Sequence, residues 1–230
     1  VAAVGGVDVT ARRRLTALAA LLLCAALLVG GCGSGSGSGS GGEDGATGDG
    51  GSGGGRFAAA STLPPGLAGR AAAPIRLTDA RSGQPFDSAT LKGRPYLVTF
   101  LFVNCPDVCP LIGQELRQTL EQLGPQAGDV AVVAVSVDPR HDTADAVKTW
   151  LRRQRQPDNF HYLIGSEQEL EPVWRGFYAA PQVQGDPDSA HTAVVWLVDG
   201  QGRLQGKVAA GASFEPSELA ADVRTLLSER

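Results

Sequence analysis

Tyr96 to Pro110 reads YLVTFLFVNCPDVCP, and its first eight residues decide the fold. Tyr96 to Val103 is a continuous run rich in β-branched and aromatic side chains, without polar/apolar alternation. A run of this kind is a strand buried on both faces, so helices must cover the sheet above and below. Beyond it, Ile112, Leu116, Leu120 and Leu123 recur at helical spacing, and Gly124-Pro125 stops that helix. Val130 to Val137 (VAVVAVSV) is a second buried strand. Together these form a β-α-β unit with parallel strands.

Downstream, Ala146, Val147, Trp150 and Leu151 mark one helix, and Leu170, Val173, Trp174 and Phe177 mark another. Thr192 to Val198 is a third buried strand, which Asp199-Gly200-Gln201-Gly202 turns back as Arg203 to Ala209. Pro216 opens a last helix with Leu219, Val223, Leu226 and Leu227 facing inward. Upstream, Ile75–Thr78 and Gln84–Phe86 flank a turn and read as a short edge hairpin. The order β-α-β, helices, β-hairpin, closing helix is that of the thioredoxin fold. The expected class is α/β, a central mixed sheet flanked by helices in a single domain over residues 74–230.

The first third of the chain has a different character. Arg12, Arg13 and Arg14 precede an almost uncharged apolar run from Leu15 to Val29, the pattern of an export signal. That run falls short of the roughly 20 residues a bilayer-spanning helix needs. It ends in Val29-Gly30-Gly31-Cys32, which resembles the bacterial lipoprotein box. Residues 1–31 are thus expected to be a signal peptide, with Cys32 lipidated after cleavage and Cys24 discarded. Gly33 to Gly55 is almost free of apolar side chains and cannot bury enough surface to offset the entropy of ordering. As a coil it spans about 25–30 Å. Residues 32–73 are expected to be a flexible linker, on a protein held at the cell membrane and facing the extracytoplasmic, oxidising side. The net charge of −4 leaves no basic footprint for nucleic acid. No long amphipathic seam specifies an oligomer, so a monomer is expected.

Cys105 and Cys109 fall where the first buried strand ends and a helix begins. With Cys109 in the first helical turn, both sulfurs can face one way, and the positive end of the helix favours thiolate. Two adjacent thiolates make either a disulfide or a soft-metal site, and spacing alone does not decide which. Strand order supplies a third group. A strand antiparallel to Tyr96–Val103 and beside it starts next to the cysteines, and the residue at that start is His191. Two thiolates and one imidazole suit copper or zinc. His141 and His161 lack this placement and read as a loop residue and as a strand-edge or packing residue.

Three blocks in order, Cys105-Pro106-Asp107-Val108-Cys109-Pro110, Val137-Asp138-Pro139-Arg140-His141-Asp142-Thr143 and His191-Thr192 leading to Val198-Asp199-Gly200, closely resemble the SCO/SenC family of copper-binding assembly proteins. The resemblance spans about Pro74 to Arg230. It implies one copper ion per chain, Cu(I) or Cu(II), held by Cys105, Cys109 and His191. It also implies a metallochaperone that delivers copper to, or reduces the cysteines of, the binuclear copper centre of cytochrome c oxidase. Its partner would be the copper-receiving oxidase subunit. Asp107, Asp138 and Asp142 border the same sheet edge and are candidates to tune the site. For Asp142, capping the following helix is the favoured role.

The competing function is a metal-independent thiol–disulfide oxidoreductase in which Cys105 and Cys109 are catalytic and form a disulfide when oxidised. Thioredoxin-like reductases have Cys-x-x-Cys and a proline just before the third buried strand. Here three residues separate the cysteines, and Ser189-Ala190-His191 precedes the strand. A peroxidase of the peroxiredoxin type needs a threonine three positions before its cysteine, where this chain has Phe102 and Pro106. A third class, a scaffold with an inert disulfide, would make His191 dispensable.

Overall fold

β3 (Tyr96–Leu101) has all six residues buried because both faces of the sheet carry helices. The computed structural model describes residues 55–181, 193–210 and 214–230. The elements are β1 (Arg76–Asp79), β2 (Pro85–Asp87), β3, α1 (Val108–Leu123), β4 (Ala131–Ser136), α2 (Ala144–Arg153), β5 (Phe160–Ile164), α3 (Glu167–Gly176), β6 (Val194–Val198), β7 (Leu204–Ala209) and α4 (Pro216–Ser228). One seven-stranded sheet runs in the order β2-β1-β5-β4-β3-β6-β7. β3, β4 and β5 are mutually parallel, whereas β6 runs antiparallel to β3 with Thr99 facing Val195. This is the expected mixed α/β domain. α1 ends at Gly124, whose φ of 56° suits glycine in a helix-terminating turn.

Two features depart from expectation. β5, a short FHYLI segment, lies between β1 and β4, so the unit is β-α-β-α-β and not β-α-β followed by helices alone. His161 therefore sits on an internal strand; it pairs with Asp79 and packs against Phe86.

The second departure is at the domain boundary. Packing does not begin near Pro74, for the expected linker residues 56–73 fold onto β7 and α4. Ser61 bridges Lys207, Ala71 bridges Arg203, and Ala60 and Leu63 are buried. Ala60 fits over Gly206, where a Cβ would come within 2.9 Å of it. The amides of Ala58, Ala59 and Ala60 all donate to the carboxylate of Asp222, which is 1% exposed. Burial pushes that carboxyl up from its ordinary value, with the three amides opposing. An Ala/Pro/Gly composition resembles a linker, but its amides find a built acceptor here. Asp222→Ala should cost about 1–3 kcal/mol in urea unfolding, because buried donors lose their acceptor. It should also speed amide exchange at Ala58–Ser61; unchanged exchange would mean that the carboxylate does not hold the strap.

Among the described residues, no helix is long and apolar enough to cross a membrane.

Candidate metal centre

The chain leaves the buried end of β3 through Phe102 and Val103 and turns at Asn104 into α1. Cys105 is 6% exposed and Cys109 is fully buried in the first turn of that helix. Asp107 is the N-cap and accepts from the Val108 amide, and Pro110 sits in the first turn, where a missing N–H costs little. The Cys109 amide, one of the helix's orphan donors, points at Cys105 Sγ at 3.2 Å. Cys105 Sγ also lies 3.9 Å from Asp107 Oδ1. A sulfur accepting a helix N-terminal amide is well placed to carry negative charge. The Cys109 thiol hydrogen-bonds to Cys105; that bond and then burial raise it well above the ordinary thiol range, against a backbone hydrogen bond at Phe102. The charges of Cys105 and Asp142 add to the rise.

Beneath the pair lies Asp142, 2% exposed. It does not cap α2. Thr143 does, accepting from the Ala146 amide, and this frees the preceding carboxylate to turn inward. Asp142 Oδ1 accepts from the Val103 amide at 2.8 Å. Its Oδ2 accepts from Ser136 Oγ at 2.6 Å and from the Tyr162 hydroxyl at 3.1 Å. One carboxylate thus ties the ends of β3 and β4 to the middle of β5. Burial pushes its carboxyl up to about 6, with these donors opposing and the charge of Asp138 adding. Burial and then the charge of Asp142 raise the Tyr162 hydroxyl far above its usual value, and both cysteines add to this. Ser136 and Tyr162 were not singled out from the sequence; Tyr162 lies on the strand that periodicity did not reveal. Asp138 is buried and pairs with His141 through Oδ2 and Nδ1, 2.7 Å apart.

The structure brings Cys105, Cys109, Asp107 and Asp142 to one end of the sheet, with Asp138 on the loop after β4. His191 and Cys32 lie outside the described residues. Among the described residues no group of three His, Cys, Asp or Glu gathers to hold a metal. The donors that are present still suit a soft ion, since two sulfurs in hydrogen-bond contact can share one copper. Any third ligand must come from outside this set. A surface pocket of about 270 Å³ lies at the opposite end of the sheet, beside Tyr96, Lys92 and Gln201, away from the cysteines.

Comparison with known proteins agrees with this arrangement. The SCO1/SenC family profile matches residues 67–228. A SCO2-like protein of Rickettsia conorii is 32% identical over 131 residues, which cover 54% of this chain and 62% of that protein. The solved structure of Bradyrhizobium japonicum ScoI with copper bound is 31% identical with a TM-score of 0.59, covering 68% of this chain and 99% of that one. BsSco, described as a Sco-family cytochrome c oxidase assembly protein with a disulfide switch, has a TM-score of 0.62 at 22% identity, covering 70% and 96%. The last of these shows the shared thioredoxin-like fold. With a profile covering most of the chain and a cysteine pair at the strand–helix junction, the chain belongs to the SCO1/SenC family.

Proposed function

We propose that this protein binds one copper ion through Cys105, Cys109 and His191 and serves the assembly of cytochrome c oxidase. It would either pass on the ion or reduce the cysteines that receive it. The observation that carries the reading is the hydrogen-bonded sulfur pair at the junction of β3 and α1. β6 supports it, because its antiparallel register brings the chain in beside the end of β3 that leads to Cys105. Ala193 opens that segment, and His191 is two residues away, at most ~7 Å of extended chain. Copper bound to ScoI and the description of BsSco as an oxidase assembly protein support copper as the cargo and the oxidase as the client. The lipid on Cys32 and the extracytoplasmic setting follow from the signal-like N-terminus.

Copper is cargo in this scheme, and the protein's own groups manage its protons. The proton held between Cys109 and Cys105 must leave before both sulfurs can bind, so uptake should weaken as pH falls. The hydrogen bond to Cys105 and burial hold that proton on the thiol, with the charge of Asp142 adding to them.

The test has two parts. The reduced full chain, titrated with copper, should saturate at one ion, and His191→Ala should weaken binding markedly. A strain lacking the protein should contain less copper in its oxidase. Equal affinity in His191→Ala would remove the three-ligand site, and normal oxidase copper would remove the client. The alternative, a metal-independent thiol–disulfide oxidoreductase, draws on the same sulfur contact and predicts disulfide exchange without any copper requirement.

A further inference from the structure

Two imidazoles among the described residues are each held by a buried carboxylate, and they differ in surroundings. His161 Nδ1 lies 2.7 Å from Asp79 Oδ2, its side chain is 26% exposed, and its ring packs on Phe86 with centroids 5.1 Å apart. That is a core pair. His141 Nδ1 lies equally close to Asp138 Oδ2, but its side chain is 56% exposed while that of Asp138 is 5% exposed. Among the described residues, His141 Nε2 has no hydrogen bond and the ring has no aromatic neighbour.

A carboxylate that takes Nδ1–H fixes the tautomer and leaves Nε2 with its lone pair available, which is how proteins orient a metal-binding imidazole. A second observation points the same way. Asp138 Oδ1 is buried and has no partner among the described residues, so its negative charge is only half compensated. A cation on the imidazole would supply the missing compensation. The location fits too. Asp142, the next residue, holds the Val103 amide, two residues before Cys105, and Val137 pairs with Leu101. The loop bearing His141 is therefore tied to the strand end bearing the cysteines.

We propose that His141, oriented by Asp138, is an accessory copper ligand on which Cu²⁺ first lands before exchanging onto the sulfurs of Cys105 and Cys109. The inference rests on the copper-handling reading for its cargo. The exchange involves no net oxidation or reduction: as each cysteine sulfur bonds to the ion, any proton on its thiol goes to solvent, and the imidazole nitrogen lets go. Imidazole suits divalent copper, and two sulfurs sharing the ion hold it more firmly than one imidazole nitrogen.

The experiment adds Cu²⁺ alone to the full reduced chain and follows loading by stopped-flow absorbance. His141→Ala should load at least tenfold more slowly while reaching the same stoichiometry and final spectrum. In a Cys105→Ser/Cys109→Ser variant, substoichiometric Cu²⁺ should still broaden the His141 ring resonances in the NMR spectrum, and Asp138→Asn should reduce that broadening. Equal loading rates with no broadening at His141 would overturn the proposal. If broadening persists in the double-serine variant while the parent shows no sulfur-bound copper, the proposed function fails and the His141 site stands.

Discussion

Cys109→Ser is expected to lower copper affinity on the order of a thousand-fold or more, about 4 kcal/mol, and to leave no stoichiometric complex. The substitution removes one of two soft donors and puts in its place a hydroxyl that does not ionise at neutral pH. It also removes the thiol that hydrogen-bonds Cys105, while the backbone amide at position 109 still points at the Cys105 sulfur. The change in volume is small, and Cys109 lies in a helical turn already capped by Asp107. The fold should therefore persist, which circular dichroism checks. Isothermal titration of the reduced protein measures the affinity. Parent-like binding by the serine variant would show that the ion is held elsewhere.

Asp142→Ala carries the second largest expected effect, on stability. It strips the acceptor from the Val103 amide, the Ser136 hydroxyl and the Tyr162 hydroxyl together. Two of those donors are hydroxyls that can rotate toward other partners, so the penalties do not simply add. We expect a loss of about 2–4 kcal/mol at pH 7 by urea unfolding. Asp142→Asn keeps an acceptor and removes the buried charge, and it should stay within about 1 kcal/mol of the parent.

The two variants also separate by pH. The carboxyl is raised to about 6 in the folded protein from an ordinary 3.8, so between those values the folded state binds more protons than the unfolded one. This group's contribution to stability therefore improves as pH falls from about 6 toward 4, and above 6 it is a constant cost. The parent should gain stability over that window from this residue, and the Asn variant should show a flatter dependence. An Ala variant as stable as the Asn variant would mean that this side chain is not holding the ends of β3 and β4 to the middle of β5.

What the sequence disclosed follows physical rules, and so does what it concealed. β3, β4 and β6 were legible because their residues are buried on both faces, leaving uninterrupted apolar runs. β5 was not, since His161 interrupts its five residues and no run or alternation of useful length survives. Missing β5 hid Tyr162, and with it the inward role of Asp142. The aspartate and the adjacent Thr143 are both good N-caps, and only the backbone tells which of the two takes the position. The strap at residues 56–73 was hidden for another reason: its contacts run through backbone amides to Asp222 and Lys207, and side-chain composition does not report them. The cysteine pair was plain from its motif and its place after a strand, whereas His191 as a proposed third ligand was read from strand order.

X-ray absorption at the copper edge on the reduced, copper-loaded full chain, alongside His191→Ala, tests the proposed three-ligand site most directly. The parent should show two sulfur scatterers and one imidazole nitrogen, and the variant should lose the nitrogen. A parent spectrum without sulfur, or a variant spectrum identical to the parent's, would contradict it.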